Sequence, residues 1–147
     1  MVSAKLFIDT WGWVLLHNRR EPRHRAIKMF YENFRATRGQ TFTTDYVLDE
    51  TFTLLFRRLP FPLARESLEK IEEAIEEGYL QLERITPERF ERAKELRLRF
   101  QDKPRISFTD LTSMVVMEEL GITDILTGDA HFAHVGMGFR VLPPQGG

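Results

Sequence analysis

Leu6-Phe7-Ile8 is an unbroken apolar run that ends on a carboxylate, Asp9, and this short feature restricts the fold more than any other. A strand with one wet face alternates apolar and polar residues. A continuous apolar run therefore reads as a strand covered on both faces, as in a parallel sheet packed between helices. Thr41-Phe42-Thr43, Leu80-Gln81-Leu82, Ile125-Leu126 and Phe139 to Leu142 read as further strands, with helical stripes between them. From Pro22 the residues Ala26, Ile27, Phe30, Tyr31 and Phe34 recur at helical spacing until Gly39. A second stripe starts at Asp45, carries Val47, Leu48, Phe52, Leu55 and Leu59, and is ended by Pro60 and Pro62. A third holds Leu63, Leu68, Ile71 and Ile75 and stops at Gly78. A fourth opens on the cap and proline of Thr86-Pro87, and a fifth spans Ser107 to Leu120 before Gly121. Strands alternating with helices predict an α/β fold: three layers, α/β/α, around a central mostly parallel sheet. At 147 residues the chain has the length of one domain, expected over 1–147.

Composition removes several chemistries. There is no cysteine, which excludes disulfides, thiolate metal sites and thiol nucleophiles. Lys and Arg number 21 against 22 Asp and Glu, so the net charge of -1 supplies no global field for a polyanion. Nucleic acid would have to be held by a local basic patch or through metal ions. The apolar stretch near the N-terminus reads as a poor signal peptide, because Asp9 interrupts it and His17-Asn18-Arg19-Arg20 stands where a cleavage site belongs. No run approaches the ~20 apolar residues that span a bilayer, and a cytoplasmic location is expected. The terminal Gln145-Gly146-Gly147 reads as a frayed end.

Ligands of open parallel sheets bind beyond the carboxyl ends of the strands, which draws notice to acids placed there. Asp9 follows the first strand and Asp129 follows Ile125-Leu126 after a short turn. Asp110 begins a helix, and Glu50 lies in the second turn of another between Val47 and Phe52. Taken singly each has an ordinary explanation. Asp9 serves as a helix cap, Asp129 as a turn former and Asp110 as a complement to a helix dipole, although Glu50 sits where Ala or Leu would suit a core better. Taken together, four acids separated by 41, 60 and 19 residues are aimed at one sheet edge. Such a cluster repels itself without cations, and all-oxygen ligands favour Mg2+ or Mn2+.

Phe7-Ile8-Asp9-Thr10, Thr43 through Thr51 (TTDYVLDET), Ser107-Phe108-Thr109-Asp110 and Leu126 through Phe132 (LTGDAHF) also resemble, in order, the motifs of PIN domains, particularly VapC-like toxin ribonucleases. The resemblance runs from about Leu6 to Val141. It implies a PIN-like fold and a Mg2+- or Mn2+-dependent endoribonuclease hydrolysing RNA phosphodiester bonds, with Asp9, Glu50, Asp110 and Asp129 as catalytic and metal-binding acids. It also implies that Thr127 orients a ligand or water, that a small antitoxin blocks the site, and that the domain forms a homodimer. His131 falls within the last motif, but no role follows for it.

Other readings are weaker. His131 and His134 are too few for a zinc site and read as surface polarity. A haloacid-dehalogenase-type phosphatase needs a second acid at position 11, where Trp11 stands. A receiver-like signalling domain needs an adjacent acid pair and a late lysine, neither of which is evident, and a PIN fold kept only for binding would not need all four acids. Asp45, Asp49 and Asp102 read as helix-end or solvated acids. The densest basic stretch, Arg19, Arg20, Arg23, Arg25 and Lys28, reads first as a solvated helix face. Its alternative is RNA phosphate contact through Arg19, Arg20 and Arg23.

Overall fold

The computed structural model describes residues 4–144, so the expectation for 145–147 lies outside the described residues. Five strands form one sheet: β1 (Lys5–Ile8), β2 (Gln40–Thr44), β3 (Leu80–Glu83), β4 (Asp124–Leu126) and β5 (Arg140–Leu142). Their order is β3-β2-β1-β4-β5, and every neighbouring pair is parallel. Leu6, Phe7 and Ile8 are fully buried, as a central strand covered on both faces requires.

The helices are α1 (Thr10–His17), α2 (His24–Ala36), α3 (Asp45–Arg58), α4 (Phe61–Glu76), α5 (Pro87–Arg99) and α6 (Phe108–Leu120), followed by a 3-10 turn at Ala130–His134. α1 to α4 lie in the connections from β1 to β3, and α5 and α6 in the return from β3 to β4, so the right-handed rule for parallel crossovers puts the two sets on opposite faces. The chain thus reverses its direction of travel between β1 and β4. In α/β sheets this switch point opens a crevice at the carboxyl ends of the two strands.

The sequence reading missed α1. Its eight residues, TWGWVLLH, are apolar around most of the circumference and carry no stripe to set a period. Gly12 accounts for its position: a Cβ there would overlap the Leu126 carbonyl oxygen, so only glycine lets α1 lie this close to β4. A second difference follows from the first. Arg19 and Arg20 sit in the connection between α1 and α2, and Arg23 is the cap position of α2. The three therefore do not share a helix face.

Candidate active site

The end of β1 continues through Asp9, whose backbone N–H donates to the Leu126 carbonyl of β4 at 3.1 Å. This bond fixes the first acid at the switch point. The Asp9 side chain makes no capping bond to α1, although it occupies the cap position. Instead its Oδ2 accepts a hydrogen bond from the Thr127 hydroxyl at 2.9 Å, and Oδ1 is buried with no partner. Thr127 is itself fully buried, and its Oγ1 accepts the Asp129 backbone N–H at 3.1 Å. One hydroxyl therefore links the first and last acids, reaching Asp9 from 118 positions further along the sequence.

Asp110 reaches the same place from α6. Its N–H donates to Ser107 Oγ at 3.0 Å and its Oδ2 accepts the Ser107 N–H at 3.4 Å, a reciprocal capping box. Asp110 is thus an acid in the first turn of α6, where it complements the dipole, and it stands close to Asp129. Asp129 Oδ1 accepts the His131 backbone N–H at 2.9 Å and lies 3.1 Å from His131 Nδ1, without hydrogen-bond alignment. Ligand-type atoms of Asp110, Asp129 and His131 lie within 4.8 Å of one another.

The electrostatics follow from that crowding. Burial first, and the Asp110 charge next, push Asp9 up to about 8, against the opposing influence of the Thr10 backbone and of the Thr127 hydroxyl. Burial and the Asp129 charge push Asp110 up to about 6, and Glu50 adds a smaller repulsion. Glu50 is half-buried and joins the group through this charge interaction. Asp9, Asp110 and Asp129 thus repel one another, Glu50 acts on Asp110, and Thr127 bonds both Asp9 and the Asp129 backbone.

His131 was the omission, and the signal for it was faint: a histidine two residues after an acid is common, and only the 3-10 turn brings its ring back over Asp129. His134 is exposed, as expected. Asp49 is exposed, and Asp102 is exposed with its Oδ2 2.8 Å from Lys103 Nζ. Asp45 accepts the backbone N–H groups of Tyr46 and Ile85, so it braces a helix start. Of the basic residues, Arg23 borders a cavity of about 340 Å³ together with Asp129. Arg19 and Arg20 line a separate cavity of about 580 Å³ between α1, α2 and α4.

An unpartnered buried carboxylate oxygen beside two further acids is a donor set suited to a hard divalent cation, and the residues fit such an ion. The sequence matches the PIN domain family over residues 6–137. The chain belongs to the PIN domain family. Among solved structures, this PIN domain is similar to VapC20 of Mycobacterium tuberculosis, a sarcin-ricin loop cleaving toxin. The identity is 30% and the TM-score 0.76, over 89% of this chain and 95% of that one. It is also similar to VapBC2 from Rickettsia felis, bound to a promoter DNA fragment, at 12% identity and TM-score 0.65 over 93% of this chain and 96% of that one. DNA-bound VapBC from Salmonella typhimurium gives 14% identity and TM-score 0.65 over 94% and 96%. At the last two identities the likeness is one of fold. No protein with a curated description matches the sequence. Among the described residues, no helix is long and apolar enough to cross a membrane.

Proposed function

We propose that this VapC-like PIN domain is a metal-dependent endoribonuclease and the toxin of a toxin–antitoxin pair. The observation that carries the reading is Asp9: a fully buried carboxylate with one oxygen unpartnered, facing the charges of Asp110 and Asp129. Folding such a group without a cation is costly, and a binding role accounts for the cost.

Asp9 and Asp129 are the principal ligands in this reading, with Glu50 and Asp110 completing the set directly or through water. A bound Mg2+ or Mn2+ would polarise the scissile phosphate, lower the pKa of a water and offset charge on the leaving oxygen. Thr127 holds Asp9 and the Asp129 backbone at a fixed separation, so it positions the acids without touching the RNA. His131 lies against Asp129 and restrains the orientation of that carboxylate. Arg19, Arg20 and Arg23 supply the phosphate contacts that a nearly neutral protein otherwise lacks. The antitoxin is a small protein whose basic side chain pairs with a carboxylate of the site, and the toxin is a homodimer in the cytoplasm.

RNA incubated with the protein and Mg2+ or Mn2+ tests the reading. Cleavage is expected, and excess chelator or Asp129→Asn should stop it while circular dichroism is unchanged. Full cleavage in chelator, or by folded Asp129→Asn, rejects the metal site.

A further inference from the structure

The cavity beside Asp129 is bounded by Trp11, Leu15, Arg23, Gly128 and Ala130, an apolar wall with one cation next to one acid. Trp11 is unusual in this wall. It stands two residues after Asp9, in the first turn of α1, and is only half-buried. The following tryptophan, Trp13, is buried and donates its indole N–H to Thr43 Oγ1 at 3.2 Å, so it has a structural role that Trp11 lacks. The Arg58 guanidinium lies 5.0 Å from the centre of the Trp11 ring and 3.6 Å from Glu21.

Room is made by Gly128. A Cβ at that position would stand 3.0 Å from Leu15 Cδ1, 3.5 Å from Arg23 Nη1 and 3.8 Å from Trp11 Cβ. The three side chains thus converge on the space that the glycine leaves open. An aromatic ring, a guanidinium and a pocket of about 340 Å³ at the edge of the acidic site match an unpaired nucleotide, whose base has a π-face and whose phosphate has a charge.

We propose that Trp11 and Arg23 form a nucleotide subsite next to the scissile bond, Trp11 packing against the base and Arg23 pairing with the adjoining phosphate. The subsite rests on the ribonuclease reading and adds to it a demand for a flipped-out, single-stranded nucleotide. Duplex RNA keeps its bases stacked and its major groove too narrow for this entry.

Single-stranded and fully paired RNA are titrated, with Mg2+ present, into the Asp9→Asn protein while tryptophan fluorescence is followed. Cleavage constants are measured separately on the Asp9-containing protein. Single-stranded RNA is expected to quench the fluorescence, and Trp11→Phe should remove most of that quenching because the Trp13 indole is buried with its N–H held by Thr43 and offers no face to the ligand. Trp11→Ala should raise KM about tenfold with kcat changed less than about twofold, Trp11→Phe should recover most of the loss, and Gly128→Ala should raise KM by narrowing the pocket. Cleavage by Trp11→Ala with unaltered KM, or equal quenching by duplex, overturns the subsite and leaves the nuclease reading standing. Absence of cleavage by the Asp9-containing protein on any RNA overturns both.

Discussion

Two charged regions of this molecule are built on opposite terms. On the α5–α6 face, Arg89 donates to Glu83 at 3.1 Å and to Glu119 at 2.8 Å, and Arg92 bridges Glu118 and Glu119. Each cation there has acids to answer it, and Arg89 also caps the Arg84 carbonyl. At the carboxyl ends of β1 and β4, acids face acids, and Asp9 keeps an oxygen with no donor at all. Paired charges settle a fold, whereas crowded like charges hold free energy that a bound cation or a proton releases. Sequence composition does not separate the two, since both regions are rich in Asp or Glu. Their partners do.

The sharpest way to break the contrast is to neutralise one member of the crowded set. Asp9→Asn is expected to lower RNA cleavage by about a thousandfold or more, as loss of an essential group does, and to raise the melting temperature of the metal-free protein. The two readouts move in opposite directions, which no simple folding defect reproduces. Gel-based cleavage assays and calorimetry would measure them.

The next effect is on pH dependence. Asp9 and Asp110 are pushed up to about 8 and about 6 from ordinary carboxylate values near 3.8, so the metal-free native state holds protons that the unfolded chain releases. Stability is therefore full below about pH 4 with respect to these groups and is lost as pH rises through 6 and 8. Denaturant titrations should show a decline of a few kcal/mol across that window, shallower in Asp9→Asn and opposed by Mg2+ at pH 8. A flat profile would mean that burial and the neighbouring charges do not raise these two acids.

A smaller effect concerns the cations near the site. Changing Arg19, Arg20 and Arg23 to Gln should flatten the log–log salt dependence of RNA binding by about 0.7 per lost contact and leave metal affinity in place. Filter binding at several salt concentrations decides it. The smallest effect belongs to the paired region: Arg89→Ala should cost about 1–2 kcal/mol of stability and leave cleavage unchanged. A loss of activity there would show that α6 transmits strain to Asp110.

Much of this was legible beforehand because the signals were periodic or punctuated. The sheet strands, the Thr86 cap and the Gly121 stop each rest on local chemistry, and Gly121 indeed adopts a left-handed φ of 67°. The four acids were legible because strand ends mark them. The α1 helix was not, since its eight residues lack a polar face, and its placement depends on the clearance at Gly12, a contact with a strand more than a hundred residues later. His131 was missed for a similar reason: its nearness to Asp129 is set by the turn of Ala130–His134, not by spacing. What escaped was governed by tertiary distances.

The pairing of β1 with β4 also has a meaning in time. Asp9 leaves a ribosome well before the strand that completes its surroundings, and the Thr127 hydroxyl that holds it comes 118 residues later. A growing chain therefore carries no assembled acid cluster until Thr127 and Asp129 have followed. For a protein whose proposed substrate is RNA, the machine that synthesises it meets no finished blade while that stretch is still being made.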